Sequence, residues 1–291
     1  MILNYNTEMI RFVIVYLSFL FVILSQTEKI ETIRVTETNL QTPVLTLSSK
    51  LYLAKIKIYG MIHLGEKSYY TKILELLEEP DFIFFEGVNL NQVSFKKQIQ
   101  SQLIAQTEKD KLKFLDSMDQ TNILARALKL DSQTRLIKPA KYSNWIHADI
   151  DINELMQSLY KDKSTLQSIL KLPSSSEEPI YQVIHDYREN NAEWSLEKML
   201  ENRKIVAKSL LESVNLFCYD PNYKVIRDIM IVKRNKKAVS VLKEALKTNE
   251  NFKLGIIYGV AHIPNFVEIL SQDFNFEIES IEWINAWNLQ K

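Results

Sequence analysis

Three polar residues each stand at the end of an apolar run, in a chain that uses histidine and glycine sparingly. Near one end the sequence reads Ile58-Tyr59-Gly60-Met61-Ile62-His63, and near the other Ile257-Tyr258-Gly259-Val260-Ala261-His262. The pattern Ile-Tyr-Gly-x-x-His thus recurs in a chain with only five glycines and four histidines. Between the copies, Phe82-Ile83-Phe84-Phe85 runs into Glu86 and Gly87. An apolar run that stops at glycine and then delivers a polar side chain is how a buried parallel strand hands a functional group to the rim of a sheet. Glycine suits the turn because it leaves room for backbone or ligand to approach. A carboxylate behind such a run is costly unless it is paired, hydrogen-bonded or metal-bound. His63, Glu86 and His262 meet that need in either of two ways. They can form the inner shell of a divalent cation such as zinc or manganese, with positions left for water and substrate. Or Glu86 can act without metal as a general base, with His63 or His262 as acid and oxyanion stabiliser. Spacing leaves both open.

Weaker candidates surround this trio. Arg234 and Asn235 lie in a helical stretch flanked by Ile231, Val232, Ala238 and Val239, so one polar face can turn into a cleft; Lys233, Lys236 and Lys237 equally suit a solvated side. Asp149 and Asp151 read as helix caps first and ligands second. His147 and His185 have no repeated context, and Tyr59 and Tyr258 are strand residues whose hydroxyls can reach the rim. No His-Glu-x-x-His, Gly-x-Ser-x-Gly, P-loop or dinucleotide fingerprint occurs.

The elements that must position these groups follow from periodicity. Residues 28–50 are polar and Thr-rich, a linker with a short edge strand over Val44–Leu47. A strand ends at Tyr59, a helix spans Ser68–Glu79 with Pro80 closing it, and a second strand covers Asp81–Gly87, a βαβ unit with parallel strands. Helix is expected from Ser94 to about Leu130, with Leu103, Leu112, Leu115 and Met118 inward, then a short strand over Thr134–Ile137. Residues 173–179 form a Ser/Pro-rich loop, and helices follow over 193–217 and 223–247. Phe252–Tyr258 is the second repeat strand, Pro264 marks a first helical turn, and Phe276–Trp287 is a strand pair or one long edge strand. The fold class expected is α/β: a central mixed or mostly parallel β-sheet with flanking helices and a large helical insertion between two β-rich ends.

Composition bounds the rest. With 46% apolar and 25% charged residues the chain is an ordinary globular protein. Lys plus Arg equals Asp plus Glu at 36 each, so no net field steers it to nucleic acid. Its one cysteine, Cys218, excludes an intrachain disulfide framework and a Cys-rich zinc site. Residues 12–24 are uncharged and follow Arg11, which marks residues 1–27 as a signal peptide or N-terminal membrane anchor. The chain is accordingly expected outside the cytoplasm, secreted, periplasmic or membrane-anchored.

Gly60-Met61-Ile62-His63, Glu86-Gly87 and Gly259-Val260-Ala261-His262, in that order and over roughly residues 52–287, resemble the TraB/PrgY family, which includes the TIKI and GumN-like proteins. The resemblance implies one TraB-like α/β domain over residues 51–291. For the TIKI branch it implies a membrane-anchored or secreted metalloprotease dependent on manganese or cobalt, with His63, Glu86 and His262 as metal or catalytic groups. The family tends to carry Glu-Arg-Asn on a helix before the second motif, where this chain has Lys233-Arg234-Asn235.

The function expected is therefore metal-dependent hydrolysis, of a peptide bond. A metal held by His63, Glu86 and His262 would activate water, and Arg234 would stabilise the oxyanion. Two alternatives stand beside it: non-enzymatic sequestration of a peptide signal or small extracellular ligand, and a haem or metal carrier using the histidine pair.

Overall fold

The structure, a computed structural model, describes residues 29–87, 120–151, 154–155, 157–158, 179–190 and 194–290. The expected N-terminal signal or anchor, the core positions Leu103, Leu112, Leu115 and Met118, and the loop over 173–178 lie outside the described residues. Among the described residues no helix is long and apolar enough to cross a membrane. Contacts divide the chain into Met1–Glu31 and Thr32–Lys291, and every element of secondary structure named here belongs to the latter.

Strands β1 (Arg34–Val35) and β2 (Asn39–Ser49) are antiparallel neighbours. Thr36 closes the turn between them: its N–H donates to the Asn39 carbonyl and its hydroxyl accepts from the Asn39 N–H at 2.9 Å. Strand β3 (Lys55–Met61) pairs antiparallel with β2 over Val44–Leu47. A short β4 (Leu64–Gly65) precedes α1 (Lys67–Leu76), which buries Tyr69, Tyr70 and Ile73 on one helical face. The Tyr59 hydroxyl donates to the Leu76 carbonyl at 3.0 Å, satisfying an acceptor that the end of α1 would otherwise leave open. Strand β5 (Phe82–Phe85) follows.

Residues 120–127 are helical. The short strand expected over Thr134–Ile137 is instead one helical turn. Strand β6 (Asp131–Ser132) takes the extended role just before it by pairing with β4, and α2 (Gln133–Leu136) is anchored by the Gln133 N–H donating to the His63 carbonyl at 2.8 Å. Arg135 pairs with Asp131 at helical spacing. Strand β7 (Trp145–His147) pairs parallel with β5.

Two helices come next, α3 (Pro179–Asn190) and α4 (Leu196–Tyr219), the latter capped by the Ser195 hydroxyl accepting from the Lys198 N–H. The buried Arg203 ties α4 down: it pairs with Glu66 at 2.6 Å and donates to the carbonyls of Leu128, Lys129 and Asn288. The next helical segment has three parts, α5 (Lys224–Arg227), a π turn (Asp228–Val232) and α6 (Lys233–Thr248). Then come β8 (Lys253–Gly259), a 3-10 turn over Val260–His262, and α7 (Ile263–Phe274), with Pro264 in its first turn and Asn275 closing it in the left-handed region at φ 55°. The chain finishes in β9 (Phe276–Asn288), a single long strand.

The sheet order is β1-β2-β3-β8-β5-β7, with β9 on β2. Strands β3, β8, β5 and β7 run parallel, while β2 is antiparallel to β3 and β9. The segment read as a linker or edge therefore holds a strand paired with β9 along its length and with β3 over Val44–Leu47, and Leu40, Val44, Leu45 and Leu47 are buried. Strand β8 slots between β3 and β5, which brings the two repeat copies side by side.

Candidate functional site

The two copies lie on adjacent parallel strands but one residue out of register: Tyr59 pairs with Ile257, Gly60 with Tyr258 and Met61 with Gly259. Residues paired across a sheet share a face and consecutive residues alternate, so a slip of one reverses the face. Tyr59 turns towards α1. Tyr258 turns the other way, donates to the Ala148 carbonyl at 2.6 Å and packs edge-on against the His262 ring. Past the glycines the copies diverge further. His63 leads into β4 and its side chain is exposed, whereas His262 ends the 3-10 turn before α7 and is 3% exposed.

Around His262 a polar cluster is built from five elements. Glu86, at the end of β5, accepts from the Gly259 N–H at 2.6 Å and from Arg234 Nη2 at 2.8 Å, and its Oε1 lies 3.6 Å from His262 Nε2. Asp149, just past β7, holds the same guanidinium in a fork, accepting from Nε at 3.0 Å and Nη2 at 2.6 Å. The other donors to Asp149 are the N–H groups of Gly87 and Ile150. Arg234 reaches the cluster because of the π turn: one inserted residue turns the following side chains by about 100° around the axis, and Arg234 and Asn235 of α6 are both buried. Lys233 takes the other side, bonded to Ser158 at 2.7 Å and paired with Glu154.

Asn235 completes the arrangement. Its Nδ2 donates to the His262 carbonyl at 2.9 Å and to Asn265 Oδ1 at 3.1 Å, which leaves Oδ1 to accept from His262 Nδ1–H at 2.5 Å. On the far side of the ring, Arg234 Nη1 faces Nε2 at 3.5 Å and can only donate. The network thus assigns a neutral imidazole with its proton on Nδ1.

The electrostatics follow from burial and these partners. Burial raises the Glu86 carboxyl, but the charges of His262 and Arg234 and the Gly259 N–H reverse that and hold it at about 2. Burial pushes the His262 imidazole down to about 4, with Arg234 acting the same way and Glu86 opposing. At neutral pH His262 is uncharged, so Arg234 and the Gly259 N–H keep Glu86 ionised. Burial works against the Arg234 charge, and Asp149 and Glu86 more than reverse it, raising its pKa. Two carboxylates, Glu86 and Asp149, thus share one guanidinium, Arg234.

Glu86, His262 and His63 all line a cavity of about 470 Å³, together with Gln120, Thr121 and Tyr181. The rest of the wall is largely apolar, including Leu124, Ile184, Val206, Leu210, Val214 and Ile231. Of the expected site residues, Glu86, His262 and Arg234 meet directly, and His63 shares only the cavity. Asp149 was read as a cap, a role that falls to Asp151, whose Oδ1 accepts from the Glu154 N–H at 2.9 Å. Both aspartates give the same local signal, and only the buried placement beside Arg234 separates them. His185 lies in α3 and pairs with Glu189, while His147 bonds to the Gly87 carbonyl beside the cluster, from an exposed position.

These residues do not fit a divalent cation. Both oxygens of Glu86 are engaged, Nδ1 of His262 is protonated, and the guanidinium stands against Nε2, where a cation would have to enter. Among the described residues no group of three or more His, Cys, Asp or Glu side chains could hold a metal.

Residues 141–247 match the family model of the QacR-like protein C-terminal region, a TetR-family regulator domain. The match covers less than half of the chain. No curated protein and no solved structure matches. The family match overturns the resemblance to the TraB/PrgY, TIKI and GumN-like proteins, and with it the expectation of a metal-dependent peptidase. It also runs against the fold class as expected: most of the stretch read as a helical insertion in an α/β chain matches the model of a QacR-like C-terminal region instead. Physically, α4 is no mere excursion, since it buries Met199, Leu200, Val206, Ala207 and Val214 and packs against α3. Short motifs at strand ends record where a sheet stops, and the same ends can border a binding cavity without metal chemistry.

Proposed function

We propose that this chain binds a small, largely apolar ligand in the cavity between the Glu86–His262 cluster and the helices, with the ligand's polar group at the cluster. The observation that carries the proposal is the cavity itself. Its volume of about 470 Å³ falls within the usual range for small-molecule sites, and a largely apolar wall is interrupted by a few polar side chains, Glu86 and His262 among them. The similarity of residues 141–247 to a regulator's C-terminal region supports a binding role, in which occupancy is the signal and no bond is broken.

A neutral solvatochromic dye, Nile red, tests this. The protein should bind it saturably with a blue-shifted emission. Leu210→Trp, placed on a half-buried wall residue, should weaken binding about tenfold or more by filling the space, a loss of about 1.4 kcal/mol, without lowering the thermal midpoint. Unchanged affinity in both Leu210→Trp and Ile184→Trp would overturn the proposal.

A further inference from the structure

A second concave site lies away from the Glu86–His262 cluster, between α6 and α7. It is an open groove of about 800 Å³ whose floor is Val239, Leu246, Ile269, Phe274 and Tyr52. The Tyr52 and Phe274 rings stand 6.5 Å apart, so one end of the floor is aromatic. Along one side run Lys236, Ser240, Lys243 and Lys247 of α6, all exposed. Residues at these spacings share one helical face, here over about 16 Å of helix.

Carboxylates leave most of this lysine row unpaired. Lys247 turns to Glu244 of its own helix at 2.7 Å. Lys236 and Lys243 make no ion pair among the described residues, although Glu250 and Asp273 also line the groove. The topology explains the separation. Strand β8 is parallel to β3, and β9 is antiparallel to β2, itself antiparallel to β3, so β8 and β9 run in the same sense. Glu250 shortly precedes β8 and Asp273 shortly precedes β9, which places both at the end of the sheet where those strands begin. Lys236, in the first turn of α6, belongs to the opposite end, next in sequence to the Asn235 that holds His262.

We propose that the groove is a binding site for an amphipathic organic anion, a long-chain monocarboxylate. The carboxylate head lies between Lys236 and Lys243, and the aliphatic chain lies on Val239, Leu246, Ile269 and Phe274. The chain leaves water for an apolar floor, while the head gains two ammonium groups that no protein carboxylate occupies. Charge complementarity fixes the sign of the head, and the volume, within the usual range for small-molecule sites, fixes the class of ligand. The groove shares no lining residue with the first cavity, so the two sites stand or fall separately.

Displacement of anilinonaphthalene sulfonate, itself a fluorescent amphipathic anion, tests the proposal on the full chain. Decanoate should displace the dye more strongly than decanol by about fivefold, and decylamine should be weaker than decanoate, because exposed ion pairs are each worth little and two act together. Added salt should weaken decanoate but not decanol. Lys236→Gln with Lys243→Gln should bring decanoate down to the level of decanol. Ser240→Trp, at an exposed position within the row, should weaken all displacement by about tenfold by filling the groove. Leu210→Trp, which obstructs the first cavity, should leave decanoate unaffected.

Four results overturn the proposal. Decylamine can match decanoate, or the preference for decanoate can survive both the lysine substitutions and high salt. Decanoate can be lost in Leu210→Trp and kept in Ser240→Trp, which would assign it to the first cavity. Lastly, vesicles of phosphatidylglycerol can bind the chain while decanoate does not, which would make the lysine row a membrane-facing surface.

Discussion

The same phrase, Ile-Tyr-Gly-x-x-His, has two outcomes in this molecule. In the first copy, Tyr59 braces the end of α1 and His63 is exposed; in the second, Tyr258 braces Ala148 and His262 is buried in a hydrogen-bonded cluster. Nothing inside the six residues decides this. The decision lies in a one-residue register offset between β3 and β8, and in what arrives from elsewhere: β5 delivers Glu86 and α6 delivers Arg234 and Asn235 to the second copy. Local sequence fixes where a strand stops, and the surrounding elements fix what its end is for.

The severest way to break the contrast is to remove the cation that makes the second copy's surroundings affordable. Arg234→Met leaves Glu86 and Asp149 without their partner, and Asp149 is fully buried. Breaking a buried pair from one side typically costs about 3–5 kcal/mol. Urea unfolding at neutral pH should show a loss of that order, shrinking as acid neutralises the stranded carboxylates. A loss below about 1 kcal/mol would mean that the cluster is solvated and the two copies are less different than the geometry says.

The pH dependence sharpens the contrast further. His262 is held down at about 4 by burial, against an unfolded value near 6.5. The unfolded chain therefore takes up its proton first, and stability from this group is complete above about pH 6.5 and lost as pH falls towards 4. Glu86, held at about 2, adds a second window, complete above its unfolded value near 4.3 and lost as pH falls towards 2. Unfolding free energy measured by urea at several pH values should drop by about 3 kcal/mol between pH 6.5 and 4 from His262. That slope should be largely absent in His262→Gln. If the variant keeps the slope, the imidazole is not the group being titrated.

Much of the scaffold is readable from local signals. The helix before Pro80, the strand Phe82–Phe85, the strand leading to Tyr258 and the helix opened by Pro264 each announce themselves through period, breaker or cap. Glu86 and His262 meet as polar groups that follow apolar runs of one sheet, whereas His63, expected to join them on the same logic, shares only the cavity, and Arg234 arrives from a helix. What escaped depends on partners distant in sequence. β2 is internal because β9, far along the chain, lies against it, and the edge-strand reading of Val44–Leu47 had no access to that pairing. The π turn that aims Arg234 has no local signature distinguishing it from ordinary helix. The candidate ligands pose a related problem: two histidines and a glutamate are visible in sequence, but a guanidinium standing against Glu86 and His262 is visible only once α6 is in place.

The smallest expected difference lies in the two glycines that the copies share. A Cβ on Gly60 would lie 2.7 Å from Ile263 Cδ1 and 3.1 Å from both the Pro43 carbonyl oxygen and Val260 Cγ1, so a backbone atom of β2 would have to move as well as side chains. On Gly259 it would meet Glu86 Oε2 at 3.3 Å and otherwise only ordinary contacts. Neither glycine has positive φ, so strain arises from crowding alone. Overpacking of this kind costs about 1–3 kcal/mol, and Gly60→Ala should show it in the urea midpoint. Gly259→Ala should cost less than about 1 kcal/mol in stability, and should instead disturb the cluster by displacing the Glu86 carboxylate from the Gly259 N–H and weakening Nile red binding. The reverse order of stabilities would place the crowded, backbone-limited turn at the second copy, and the account of why only His262 is held in place would then have to start from a different packing.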